Sequence, residues 1–217
     1  YEFTGLAAGN YTVCEDMQTG WQQTNPATGP SCAGSTKGYS VNVPSNSATV
    51  PNKNFGNIQR GTLVVNKVVY PNTDTSIFTV TVTGPNTNDA RPVSANNSQT
   101  YSLLAGTYSV TETNPGQSWA APQYTNCTDV VVSAGQTAYC TITNTKLGTI
   151  TVIKNAVGEF LGNESFSFGG DLGSFSLPSG PFEDTASWSK ASGWLNPGQY
   201  TVTETPLANW DITDISC

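Results

Sequence analysis

Histidine is absent from this chain, methionine occurs once, and Lys, Arg, Asp and Glu together make up only 11% of it. Without an imidazole the chain lacks the usual general base near neutral pH and the commonest metal ligand. Five cysteines are present, but none stands in CxxC spacing. Zinc is therefore disfavoured and disulfides are favoured, which points to an oxidising, extracytoplasmic home. Eight Lys and Arg against fifteen Asp and Glu leave a net charge of −7, so no basic field exists to neutralise phosphates and nucleic acid is not an expected partner. No apolar run reaches the length of a membrane span. Neither an initiating Met nor a signal-peptide pattern opens the sequence, which reads as a mature or cut piece of a longer polypeptide. There is also no G-x-S-x-G, no phosphate-binding glycine loop and no cluster of metal ligands. No metal, no cofactor and no enzymatic action on an external substrate are expected.

What is present is Thr, Ser, Asn, Gly, Val and Tyr in short alternating runs. TLVVNKVV, IFTVTVTG, TYSVTET, DVVVSAG and AYCTITNT are separated by Gly, Pro and Asn turn signals, and no 3.6-residue apolar period emerges. The chain is expected to be all-β. About seven strands per unit suggest small β-sandwiches, with Trp and Tyr supplying much of the core.

Self-comparison exposes a repeat. LAAGNYTVCED (6 to 16), LLAGTYSVTET (103 to 113) and LNPGQYTVTET (195 to 205) are versions of one strand that ends in an acid: Glu15, Glu112 and Glu204. RGTLVVNKVV (60 to 69) matches LGTITVIKNA (147 to 156), aligning Lys67 with Lys154. NKNFGN (52 to 57) corresponds to TITNT (141 to 145), aligning Asn57 with Asn144, and each asparagine precedes the next lysine by ten residues. A tryptophan follows each glutamate: Trp21, Trp119 and Trp210. The repeat order is thus lysine strand, glutamate strand, tryptophan, asparagine strand. On this frame 1–59 is a partial domain without its first strands, 60–146 is complete, and 147–217 is partial without its last strand. The ends fall inside domains, so the open edges belong either to a longer array or to strands donated by neighbouring molecules.

Side chains alternate across a strand, so parity assigns faces. Tyr108, Val110 and Glu112 share one face and Thr107, Ser109, Thr111 and Thr113 the other, which places Glu112 inward. Cys140, Ile142 and Asn144 share a face, as do Leu63, Val65, Lys67 and Val69. The same parity places Tyr11, Val13 and Glu15 together, then Phe55 and Asn57, then Ile150, Val152 and Lys154, then Tyr200, Val202 and Glu204. An unpaired buried ammonium or carboxylate costs several kcal/mol, of the order of the measured penalties for isolated buried charges. Desolvation instead favours a neutral amine and a neutral acid. The amine can then attack the carboxamide carbon of Asn while the acid hydrogen-bonds the amide oxygen and shuttles protons. The product is a Lys–Asn isopeptide bond with loss of ammonia. Glu112 would be the proton shuttle and Lys67 and Asn144 the partners, the alternative being a merely hydrogen-bonded or snorkelling Lys67; Lys154, Glu204, Glu15 and Asn57 are half-sites.

A lysine in the first strand, L-x-x-G-x-Y-x-x-x-E later and an asparagine in the last strand resemble the collagen-adhesin B-type (CnaB-like) repeat domains. These are also called SpaA-like or prealbumin-like and are found in microbial surface proteins and pilins. The resemblance implies a transthyretin-like sandwich whose first and last strands are adjacent, often joined by an intramolecular isopeptide bond. The cysteines depart from the pilin members.

Cys127 and Cys140 flank VVVSAGQTAY, whose Ser133 to Gln136 read as a hairpin turn, so a disulfide between antiparallel strands is expected. Cys14 and Cys32 pair by proximity, as a surface clip, with an intermolecular bond as the alternative. Cys217 stands where Cys127 does in its repeat and is unpaired in this chain. Asn10, Asn96, Asn126 and Asn163 head Asn-x-Ser/Thr sequons and are possible glycosylation sites. The leading functional expectation is an extracellular surface fibre, pilus or stalk whose partners are copies of itself or adjoining repeats. The alternative is an adhesin or carbohydrate-binding module using Trp188 and Trp194, for which core packing is the competing role.

Overall fold

The computed structural model describes residues 1–45, 49–157, 164–178 and 185–217. Nearly all its regular structure is strand. No α-helix occurs among the described residues, and Ala33–Ser35 forms a single 3₁₀ turn. The strands are β1 (Gly9–Val13), β2 (Trp21–Asn25), β3 (Tyr39–Val43), β4 (Gly56–Gln59), β5 (Gly61–Tyr70), β6 (Ile77–Gly84), β7 (Thr87–Ser94) and β8 (Ser98–Leu103). They continue as β9 (Gly106–Glu112), β10 (Gln123–Thr125), β11 (Val130–Val132), β12 (Thr137–Thr145), β13 (Thr151–Val157), β14 (Ser165–Gly170), β15 (Phe175–Pro178), β16 (Thr185–Ala191) and β17 (Val202–Glu204). The chain divides into two compact units, one of residues 1–68, 72–113 and 123–143, the other of 69–71, 114–122 and 144–217.

The first unit is built mainly on two four-stranded sheets, ordered β10-β12-β5-β8 and β11-β9-β6-β7. Period-2 alternation drives them: Leu63, Val65, Phe78, Val80, Val82, Tyr101, Leu103, Tyr108, Val110, Cys140 and Ile142 are buried while their sequence neighbours face outward. β5 and β12 are parallel. The Thr62 N–H donates to Gln136 C=O at 2.9 Å, and the Lys146 N–H donates to Tyr70 C=O at 2.8 Å, so residue numbers rise together along the pair. Within the second unit that register sets Asn144 abreast of Val69. The 1–59 segment contributes two two-stranded sheets, β1-β3 and β2-β4.

The second unit holds the sheets β13-β16 and β15-β14-β17. Ala156, Phe166, Phe168 and Leu177 form its core, against which Val152, Trp188, Val202 and Trp210 pack.

The L-x-x-G-x-Y stretch has one local reason in all three copies. The hydroxyl of Tyr11 donates to Ala7 C=O at 2.9 Å, that of Tyr108 to Leu104 at 2.9 Å and that of Tyr200 to Asn196 at 2.7 Å. Each tyrosine thereby ties the glutamate strand back to the chain entering it. At Gly106 an added Cβ would lie 3.5 Å from the Tyr108 ring and 3.0 Å from Pro85.

Two expectations change. The residues around Ser133 are not the turn of a two-stranded hairpin, because β11 pairs with β9 and β12 pairs with β10 and β5. The chain crosses from one sheet to the other there, since Val130 and Val132 complete the edge beside β9. The tryptophans also supply less core than expected: Tyr101 and Tyr108 are wholly buried, whereas Trp21 and Trp194 are exposed.

Candidate functional site

β5 brings Lys67 to the buried side of its sheet because it shares parity with Leu63 and Val65. β9 brings Glu112 to its inner face, abreast of Val80 on β6. Lys67 Nζ lies 2.8 Å from Glu112 Oε2, and neither side chain is exposed at all (0% each). The Phe78 ring covers the ammonium, its centroid 4.3 Å from Nζ. The Tyr124 hydroxyl accepts the Glu112 N–H at 3.2 Å and so fixes the end of β9. Burial pushes the Lys67 pKa below its ordinary value; the hydrogen bond and charge of Glu112 oppose that shift without cancelling it. Asn144 is wholly buried on β12, the strand next to β5 in the sheet order.

The third repeat reproduces the pair. Lys154 Nζ lies 2.7 Å from Glu204 Oε1, with the two side chains 14% and 13% exposed. Phe166 sits over the ammonium at 4.6 Å. The register is the same: Glu204 is abreast of Phe168 as Glu112 is abreast of Val80, and the covering phenylalanine stands two residues earlier on the same strand in both cases. Sequence reasoning missed Phe78 and Phe166. The signal available was a phenylalanine at inward parity on the strand after each lysine.

In the first repeat Glu15 and Asn57 meet, the Asn57 Nδ2 donating to Glu15 Oε1 at 2.6 Å. Asn57 itself is exposed, and among the described residues β4 is paired on one edge only.

Both expected disulfides are present. Cys14–Cys32 has a Cα–Cα separation of 5.9 Å and Cys127–Cys140 one of 4.8 Å. The second is buried and ties the sheets together. Cys140 is on β12, while the Cys127 C=O accepts the Val110 N–H of β9 in the other sheet at 2.8 Å. Cys217 is free and exposed. Asn10, Asn96 and Asn126 are exposed; Asn10 accepts a hydrogen bond from Asn42, and Asn96 donates to the Asn72 carbonyl. Asn163 lies outside the described residues. Trp188 packs against the third-repeat core, but Trp194 is 50% exposed.

No group of side chains suited to a metal ion occurs among the described residues, and no helix there is long and apolar enough to cross a membrane.

No family model matches the chain, and no curated protein matches it. Among solved structures, the Bacillus anthracis TIE protein aligns with a TM-score of 0.37 and 18% identity over 81% of this chain and 34% of that chain. The likeness is weak. This chain spans about a third of the length of that one.

The geometry itself is chemically specific. A lysine shielded from solvent and lowered in pKa by burial is a nucleophile once it has lost its proton.

Proposed function

We propose that this chain is a structural component of an extracellular microbial surface fibre, pilus or stalk. In this reading it is a tandem of small transthyretin/Ig-like β-sandwich domains of the collagen-adhesin B type: 1–59 and 147–217 partial, 60–146 complete. The observation that carries the reading is the Lys67–Glu112 pair, stripped of solvent under Phe78. Its chemistry is a single self-directed turnover. Lys67 Nζ attacks Asn144 Cγ, the C–N bond to Nδ2 breaks, and Glu112 carries a proton from the attacking nitrogen to the departing ammonia. It does not act on external substrates. The two disulfides add staples typical of oxidising compartments. Partners are further repeats or further copies, joined by strand complementation at unpaired sheet edges.

A Lys67–Asn144 bond suits such a fibre because force entering β5 leaves through β12 and bypasses the domain. Pulling single molecules by their ends under reducing conditions tests this. The cross-linked chain withholds the 76 residues between the partners, 68 to 143, roughly 260 Å of contour at about 3.4 Å per residue. Asn144→Ala releases that length. Full extension of the unaltered chain contradicts the proposal.

One observation favours the second reading, an adhesin or carbohydrate-binding module: Trp194 is half-exposed and free to stack on a sugar ring. Loss of glycan-array binding in Trp194→Ala, with folding intact, would support it.

A further inference from the structure

Strand equivalence across the repeats shows what the partial repeats present to one another. By motif and pairing, β4 corresponds to β12, β2 to β10, β13 to β5 and β16 to β8. In the middle repeat β12 fills the edge of β5 opposite β8. Among the described residues β4 is paired only with β2, and β13 only with β16. The two open edges are therefore the two halves of the β12–β5 junction. Their side chains are complementary as well. β4 carries Asn57, held by Glu15, whose second oxygen, Oε2, is buried and accepts no hydrogen bond among the described residues. β13 carries Lys154, the cation that such an oxygen lacks.

We infer that β4 of one molecule adds in parallel to β13 of a second copy of this chain, rebuilding a four-stranded sheet in the order β2-β4-β13-β16 and setting Asn57 beside Lys154 of that copy. Each copy offers one β4 edge and one β13 edge, so the contact is head-to-tail, joining unlike sides of the two molecules.

β1 and β17 are equivalent strands, and only one can stand beside β14 in the joint sheet. β17 yields. It spans three residues, pairs only with β14 among the described residues, and leaves Lys154 and Glu204 partly exposed. β1 pairs over five residues with β3 and is clipped by Cys14–Cys32. Glu15 is then the carboxylate between Asn57 and the incoming Lys154. If the isopeptide reading of the middle repeat holds, the same exchange follows across the junction: an Nζ–Cγ bond forms, the Cγ–Nδ2 bond breaks, and ammonia leaves with the proton relayed by Glu15. The covalent step rests on that reading; the strand pairing does not.

Complementation between two full-length variants tests the inference. Asn57→Ala keeps Lys154, and Lys154→Arg keeps Asn57. Neither alone forms a covalent species on a reducing denaturing gel, whereas their mixture gives a covalent dimer and nothing longer, with an Asn57–Lys154 peptide in its digest. The unaltered chain gives concentration-dependent covalent oligomers, which survive Glu204→Gln and are lost in Glu15→Gln. The Lys67–Asn144 peptide is followed in every sample. If it is present while the mixture stays monomeric by gel and by light scattering, the pairing of copies is overturned and the reading of the middle repeat stands. If the mixture associates by light scattering and neither peptide is found, the pairing stands and the chemistry is overturned. A covalent dimer from either variant alone on the reducing gel also overturns the inference.

Discussion

At the scale of single residues the decisive balance is at Lys67, where loss of water acts against attraction to Glu112. A buried ion pair of good geometry roughly offsets its own desolvation, but removing one partner leaves an uncompensated charge. Glu112→Ala is therefore expected to destabilise the Asn144→Ala background, in which no cross-link can form, by about 3–5 kcal/mol. Replacing both by apolar groups, Lys67→Met with Glu112→Leu, is expected to lie near neutral. Urea midpoints check this, and single changes that simply add would contradict it. The pH dependence follows from the direction of the lysine shift. Its folded pKa lies below the ordinary value of 10.5, so between the two the unfolded chain binds more protons than the folded one. Stability of Asn144→Ala thus rises with pH through that window, and the burial penalty is complete below it. Lys67→Met in the same background removes the slope. A flat profile in Asn144→Ala contradicts the account.

At the scale of elements, the tyrosine ties and the disulfide decide how the glutamate and asparagine strands are held. Tyr108→Phe deletes the bond to Leu104 C=O while keeping the buried ring, so a loss of about 1 kcal/mol is expected from denaturant melts. Opening Cys127–Cys140 by replacing both with Ala is expected to lower stability by about 2–4 kcal/mol. It should also slow cross-linking, because Cys140 holds the strand that bears Asn144. Unchanged ammonia release in that variant would show that β12 is placed without the staple. Most strands and their inner faces were legible in the sequence, because period-2 alternation of Val, Tyr and Thr is the direct trace of a half-buried strand. The inward Lys67, Glu112 and Asn144 were legible for the same reason. The crossing at Ser133 was not, since a Gly-containing turn between apolar runs looks alike whether its flanks pair with each other or with strands far away in sequence. Asn57 meets Glu15 yet stays exposed, because parity gives the face and burial follows only where a second sheet covers it. Phe78 escaped notice because its special role, covering an ammonium, depends on the β6–β9 register.

At the scale of the whole molecule, the repeated Lys–Glu geometry and the two disulfides account for the odd composition. A chain with few charges, no histidine and small cores gains rigidity from covalent closure rather than from core size. The account's central claim is that Lys67 and Asn144 are one covalent unit. Its most direct test is the intact mass of the fully reduced middle repeat within the whole chain, followed by digestion. The account predicts a mass lower by about 17 Da, one ammonia, from the stoichiometry of amide exchange, with a branched peptide joining Lys67 to Asn144 that disappears in Glu112→Gln. Linear peptides containing an unmodified Lys67 and an unmodified Asn144, at the full calculated mass, would contradict it.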